Sequence, residues 1–362
     1  MTTWTRLVGT GFLCGFALVA TVRGADLTDH LKPGNPEVKS IGPIAFGPDG
    51  VLFLGDTLGA KVVAIDTRDR GPAASGPLKL EGANQKIAAL LGTDTKEVMI
   101  NDIAVNPASG RVYLAVARGR GPDAIPVLMR VDRSGQIEQV ALDRVPCAKM
   151  ALPNPPNSGS TRAESITDLA YADGRLIVAG LSNEEFSSRL MVMPFPFSNS
   201  AQGTGRVEIY HGAHGRFETK APVRTFMTYK IGGRPHIVAA YTCTPLVKFP
   251  MSDLTPGAEI KGVTVAELGN RNKPLDMIAY TKGGKDYILL ANSSRGVMKI
   301  DAAGIDTQES ITKKIDDKAG LKYETVEAMK GVQHLDKLDD AHAVVLTQAE
   351  DGVMTLQSVD LP

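Results

Sequence analysis

The amino-acid sequence predicts an all-β fold, six four-stranded antiparallel sheets set around a central channel, and three observations predict it. A single pattern recurs six times along 362 residues. Its apolar runs are four to seven residues long and rich in Val, Ile, Leu and Tyr, which is the length and chemistry of strands rather than helices. Between the runs lie the turns PDG, ASG, ADG and two GG pairs, which supply the positive-φ positions that tight hairpins need.

The units begin at Ile41, Ile100, Ile166, Val223, Leu275 and Val326. The first reads IGPIAFGPDGVLFLGDTLGAKVVAID: a short strand, a turn, a second strand ending in small or polar residues, and a third strand closing on Asp. The same order recurs in INDIAVNPASGRVYLAVARG with VLMRVD, and in ITDLAYADGRLIVAGLSNEEFSSRLMVMPF. It recurs again in VRTFMTYKIGGRPHIVAAYTCTPLVKFP, LDMIAYTKGGKDYILLANSSRGVMKID and VEAMKGVQHLDKLDDAHAVVLTQAEDGVMTLQSVD. Starts roughly 50 to 65 residues apart suit the blades of a β-propeller that carries long loops. A fourth strand is clearest as IEQVAL (137–142) and RVEIY (206–210), and PEVKSI, ahead of the first unit, is expected to complete the last blade. A seven-bladed ring is the alternative, if QKIAALLG (85–92) belongs to a degenerate blade.

Residues 1–24 read as a secretory signal peptide: basic Arg6, an apolar stretch from Leu7 to Val22, then small Gly24 and Ala25. Residues 25–362 are expected to form one propeller domain. The leader's apolar run is shorter than the roughly 20 residues a bilayer span requires, and no other stretch could span, so no membrane span is expected after cleavage. The expectation is an exported monomer, periplasmic or extracellular. With 40 basic and 40 acidic side chains the formal net charge is zero, so no long-range field favours a polyanion and nucleic acid is not an expected partner. A small molecule or a protein on a propeller face is.

Propeller topology places the connections between blades, and those between second and third strands, on one face. Asp56, Arg118, Glu184, Cys243, Ser293 and Glu350 follow second strands and should share it, with Arg295 beside Ser293. Asn101, Asp102, Thr167, Asp168, Arg224, Asp276 and Glu327 lie on or just before first strands, near the channel entrance on the same face. Arg118, Glu184, Arg224, Cys243 and Arg295 are therefore candidate ligand-face residues. The three arginines suit an anionic ligand, or salt bridges between blades.

Of three cysteines, Cys14 goes with the leader. Cys147 falls in RVPCAKMALPNPPNSGSTRAE, read as a connection between the second and third units, and Cys243 follows the second strand of the fourth. Two cysteines on one face of an exported chain predict a disulfide, Cys147 to Cys243. The competing readings are two unrelated thiols, or a soft-metal or reactive-thiol site with Met150 and the His211 and His214 of HGAH as further candidates. No CxxCH is present, so covalent haem is not indicated.

The turns FGPDGVLFLGDT and INDIAVNPASGRVYLA resemble those of six-bladed propellers of the gluconolactonase and regucalcin type, and more loosely the NHL-repeat and quinoprotein-like propellers. The resemblance covers most of the mature chain as a style of repeat. It implies a divalent metal in the channel, held by a Glu, two Asn and an Asp at the starts of different first strands, polarising a lactone carbonyl or activating water. Asn101 and Asp102 match the family's Asn-Asp segment. Ile41, before Gly42 and Pro43, stands where its glutamate would be, Thr167 near its second Asn, and Leu275 or Asp276 near its Asp. A rebuilt site from Asn101, Asp102, Asp168, Asp276 and Glu327 would offer oxygen ligands, suited to Ca²⁺ or another divalent ion such as Mg²⁺. The competing reading has these carboxylates binding backbone amides.

ESITD (164–168) places Ser165 near two carboxylates but brings no His base, and phosphate-loop and dinucleotide fingerprints are absent. The leading expectation is a binding or interaction protein. The alternative is a divalent-metal-dependent hydrolase of lactones or related esters, with Asp102 and Asp168 as candidate catalytic residues.

Overall fold

The computed structural model describes residues 1, 27–72, 75–157, 159–198, 204–243 and 245–362, so the expected leader lies outside the described residues apart from Met1. Six sheets ring a channel. The strands Ile44–Phe46, Val98–Val105, Asp168–Ala172, Val223–Ile231, Pro274–Lys282 and Val332–Lys337 line it, one from each repeat, and define blades one to six. The repeats thus make a six-bladed β-propeller of antiparallel blades, the architecture expected. Residues 85–91, the possible degenerate blade, belong instead to an α-helix, Ala83–Leu91. Its Ile87 and Ala88 are buried against blades two and six. Among the described residues no helix is long and apolar enough to cross a membrane.

The blades do not follow one another around the ring in chain order. Leu52 and Leu54 of blade one pack with Tyr113 and Ala115 of blade two, and Val51 and Phe53 on its other face pack with Leu176 and Val178 of blade three. Ile103 and Leu114 of blade two share a core with Val344 and Leu346 of blade six. Three further clusters join blades three to four, four to five and five to six. The spatial order is therefore two, one, three, four, five, six. The apolar core is divided among six seams, each formed by opposing sheet faces.

Two out-of-sequence strands make this order possible. Lys79–Leu80, after blade one, pairs with Leu356 and Gln357 and becomes the outer strand of blade six. PEVKSI does not close the ring. Val145–Ala151, after blade two, returns to blade one, pairing with Lys61–Ile65 on one side and Lys32–Gly34 on the other. The stretch around Cys147 is thus a strand, not the loop expected.

The expected disulfide is absent for the same reason. Cys147 is held within an outer strand of blade one, whereas Cys243 lies in a turn of blade four, and both are free thiols. Hydrogen bonding to two neighbouring strands fixes Cys147 in the sheet, away from the face on which a loop could carry it across.

Candidate functional site

The channel narrows where the inner strands bulge. Register breaks precede Asp102, Thr225, Asp276 and His334, so that the residue after each break is re-aimed. These four, with Pro43 and Asp168, line a constriction of about 50 Å³ together with Asn101, Thr167, Arg224 and Leu275. On one side it opens to a vestibule of about 530 Å³, and on the other to one of about 560 Å³.

The aspartates first tie the ring together. Asp102 accepts hydrogen bonds from its neighbour Ile103 N–H and, across a seam, from Ile44 N–H, both at 2.8 Å. Asp168 accepts from Leu169 and from Phe226 of blade four, both at 2.7 Å. Asp276 accepts from Met277 at 2.9 Å and from Leu335 of blade six at 3.0 Å. Asp336, which the sequence reading did not single out, repeats the device with Lys337 and Val105, both at 2.7 Å. Asp102, Asp168 and Asp276 thus bind backbone amides, as the competing reading of the expected carboxylates has it.

It does not account for their charge. No arginine or lysine pairs with Asp102, Asp168, Asp276 or Asp336 among the described residues. Burial pushes the Asp102 carboxyl well above the ordinary range, and Asp276 and Asp168 push it further. Burial and then Asp276 raise Asp168 to about 7, and burial raises Asp336 to about 7 with a smaller push from Asp276. Carboxylates crowded in this way must take up protons or share a cation.

His334 supplies the missing kind of donor. Its Nδ1 lies 3.6 Å from Asp102 Oδ1 and 3.7 Å from Asp276 Oδ2, too long for hydrogen bonds, and it is buried without a hydrogen-bond partner. One donor atom from each of Asp102, Asp276 and His334 lies within 4.8 Å of the other two. The donor set fits a divalent cation, with an imidazole that favours Mn²⁺ or Zn²⁺ over Ca²⁺. The residues expected to hold a metal divide accordingly. Asp102, Asp168 and Asp276 converge, and Asn101 lines the constriction while its side-chain amide donates to Ile41 O at 2.8 Å. Glu327 does not converge: VEAMKG forms a 3₁₀-helix, Glu327–Met329, ahead of the inner strand, and leaves this residue exposed. The channel position belongs to His334, inside VQHLDK, which lies beyond the expected strand start.

The ligand-face residues are spread more widely. Arg224 lines the 530 Å³ mouth, donating to Glu164 at 2.7 Å and Thr242 Oγ1 at 3.0 Å. Lys273 lines the same mouth, its ammonium pKa lowered first by burial and then by Arg224. Arg118 donates to Leu91 O, Arg295 to Asn270 O, and Glu184 accepts from Asn154; these brace loops away from the mouth. Beside the mouth runs an apolar groove of about 620 Å³, which shares Ser40, Ile41, Thr57, Asn101 and Ala163 with it and continues over Leu58, Met99 and Pro126.

Comparison with protein-family models and with curated proteins finds no match. Among solved structures, the chain is similar to the PQQ-bound form of an aldose sugar dehydrogenase from Streptomyces coelicolor, at 12% identity and a TM-score of 0.35, over 91% of this chain and 96% of that one. The six-sheet topology, rather than that similarity, defines the fold.

Proposed function

We propose that this chain is an exported ligand-binding propeller whose channel mouth takes a small amphiphilic molecule together with a divalent cation. Asp102, Asp276 and His334 would hold the cation, with Asp168 beside them. The observation that carries this reading is the buried, unpartnered Nδ1 of His334 facing two carboxylates that have no cationic partner. Lys273 and Arg224 at the rim favour an anionic or carbonyl head group, and the adjoining apolar groove suits a hydrocarbon portion.

A second reading, hydrolysis of a lactone or related ester, is favoured by Asp168, a half-buried carboxyl in the constriction whose pKa desolvation and Asp276 raise to about 7. A bound cation would polarise the carbonyl. Asp168 would accept a proton from water, while Lys273 and Arg224 orient the head group and the narrow channel limits access of bulk solvent.

Metal analysis of the purified chain carrying Cys243→Ser after equilibration with Mn²⁺ tests the binding reading. About one channel-bound ion in the parent and at least tenfold weaker binding in Asp102→Asn is the expected result. Equal affinity in the two would overturn it. Asp168→Asn separates the two functions: under the hydrolase reading it retains the ion and loses turnover of a lactone panel.

A further inference from the structure

Two histidines and a cysteine meet at the seam of blades three and four. The outer strand Thr204–His211 of blade three ends at His211, and the turn Gly212 to Gly215 brings His214 back beside it, ring centroids 3.9 Å apart. Cys243 sits in the turn after the second strand of blade four. One ring nitrogen of each histidine and the Cys243 Sγ all lie within 4.8 Å of one another.

Glu218, on the short strand Arg216–Glu218, addresses both rings from behind. His211 Nδ1 is 2.9 Å from its Oε2 and His214 Nδ1 is 2.6 Å from its Oε1. A carboxylate only accepts, so each Nδ1 carries a hydrogen, and in that neutral tautomer Nε2 is the nitrogen with a lone pair for a metal. This is the outer-shell arrangement that orients histidine ligands at metal centres.

Two observations resist a purely structural explanation of the cluster. His211 is 2% exposed and its Nε2 has no hydrogen-bond partner among the described residues, an arrangement that costs stability without a ligand. Cys243 adopts φ +62°, the left-handed region that Gly or Asn normally fills. A side chain other than these is strained there, and the strain is accounted for if the thiol is required.

We propose that His211 Nε2, His214 Nε2 and Cys243 Sγ form a binding site for a borderline transition-metal ion of the Zn²⁺ type, distinct from the channel cluster. Two imidazoles and a thiolate exclude Ca²⁺ and Mg²⁺ and suit tetrahedral Zn²⁺, whose ligand atoms stand about 3.3–3.8 Å apart. With three protein ligands the fourth position is open to water or to an incoming molecule. Binding releases the Cys243 thiol proton to solvent, so the site gains one thiolate–metal bond and no electron is transferred.

Cobalt(II) tests the site without reference to activity, because only a thiolate ligand gives an intense near-ultraviolet sulfur-to-cobalt charge-transfer band. In the full chain carrying Cys14→Ser and Cys147→Ser, one equivalent of cobalt should produce that band together with tetrahedral visible absorption, and Zn²⁺ should bleach both. Cys243→Ser should abolish the charge-transfer band, and Glu218→Gln should weaken binding by about 10- to 100-fold. Asp102→Asn should leave the band unchanged, which separates this site from the channel. Alkylation of Cys243 should slow at least tenfold when Zn²⁺ is bound. No band in the folded chain at millimolar cobalt, or a band that survives Cys243→Ser, overturns the proposal.

Discussion

Asp69 and the channel aspartates are the same residue type in two opposite settings. Asp69 lies at the seam of blades one and two, 2% exposed, and accepts from Ser109 Oγ at 2.8 Å, Tyr113 Oη at 3.1 Å and the Arg111 guanidinium. Burial pushes its carboxyl up, but those three hydrogen bonds and the charge of Arg111 outweigh burial and hold it below the ordinary range. Asp102 and Asp168 accept backbone hydrogen bonds instead, and their carboxyls are pushed up first by burial and then by neighbouring carboxylates, with no arginine to offset either. Burial of a charge alone therefore does not mark a site. The missing counter-charge does.

Substitution separates the two settings most sharply. Asp69→Ala leaves Ser109 and Tyr113 hydroxyls and one face of Arg111 without their acceptor, and it is expected to cost about 3 kcal/mol. Asp102→Asn, in the presence of a chelator, removes a repulsive charge but turns an amide NH2 toward one of the two backbone N–H groups the carboxylate accepts from, and should cost about 1–2 kcal/mol, less than Asp69→Ala. Urea unfolding of the two variants measures both values. A loss from Asp102→Asn as large as that from Asp69→Ala would mean that the channel carboxylates have a counter-ion that chelation does not reach.

Cation binding should act on one region only. At a concentration about 100 times its dissociation constant, Mn²⁺ or Zn²⁺ should add about 2.7 kcal/mol to the unfolding free energy. Because the His211, His214 and Cys243 site would also respond to Zn²⁺, Mn²⁺ in the Cys243→Ser background reports the channel alone. Asp276→Asn should remove the increment and Asp69→Ala should preserve it. An increment that persists in Asp276→Asn would place the ion elsewhere.

The contrast was only partly legible in the sequence. Asp102, Asp168 and Asp276 stand out because each immediately precedes an apolar run, IAV, LAYA and MIAY, so local pattern places them at the channel. His334 and Asp336 are hidden because VEAMKG reads as the start of a strand, and only the turn at Gly331, with φ +82°, resets where the inner strand begins. Ring order is invisible locally: Lys79–Leu80 is two residues long, and Val145–Ala151 contains a proline and a lysine. Both become strands through partners 82 or more residues away, Val145–Ala151 returning to blade one and Lys79–Leu80 reaching the C-terminal strand. The same long-range order parts Cys147 from Cys243 and leaves the latter to meet two histidines of an adjoining blade.

The pH dependence of the chelated protein gives the finest test, because the two settings carry opposite signs. Asp69 has a folded pKa below its unfolded value near 3.8, so its stabilising contribution is complete above about pH 4 and is lost as the pH falls through the lower folded value. Asp168, with a folded pKa of about 7 against an ordinary 3.8, behaves inversely. Below pH 3.8 it is protonated in both states and contributes no penalty. Between 3.8 and 7 the unfolded chain ionises first, and stability falls by up to about 1.4 kcal/mol per pH unit. Asp102 and Asp336 act in the same direction, and mutual repulsion makes the group titrate as a set rather than singly. Unfolding free energy should therefore peak on the acid side of neutrality and decline from about pH 5 to pH 7. Asp168→Asn should lessen that decline, which Asp102, Asp336 and Glu267 also carry, and leave the acid limb, whereas Asp69→Asn should lessen the acid limb, which Glu218 also carries, and leave the decline. Saturating Mn²⁺ should reverse the slope between pH 5 and 7, since the ion competes with protons for the same oxygens. A flat profile in chelator over that range would mean that the channel carboxylates are compensated within the protein, and the case for a resident cation would fail with it.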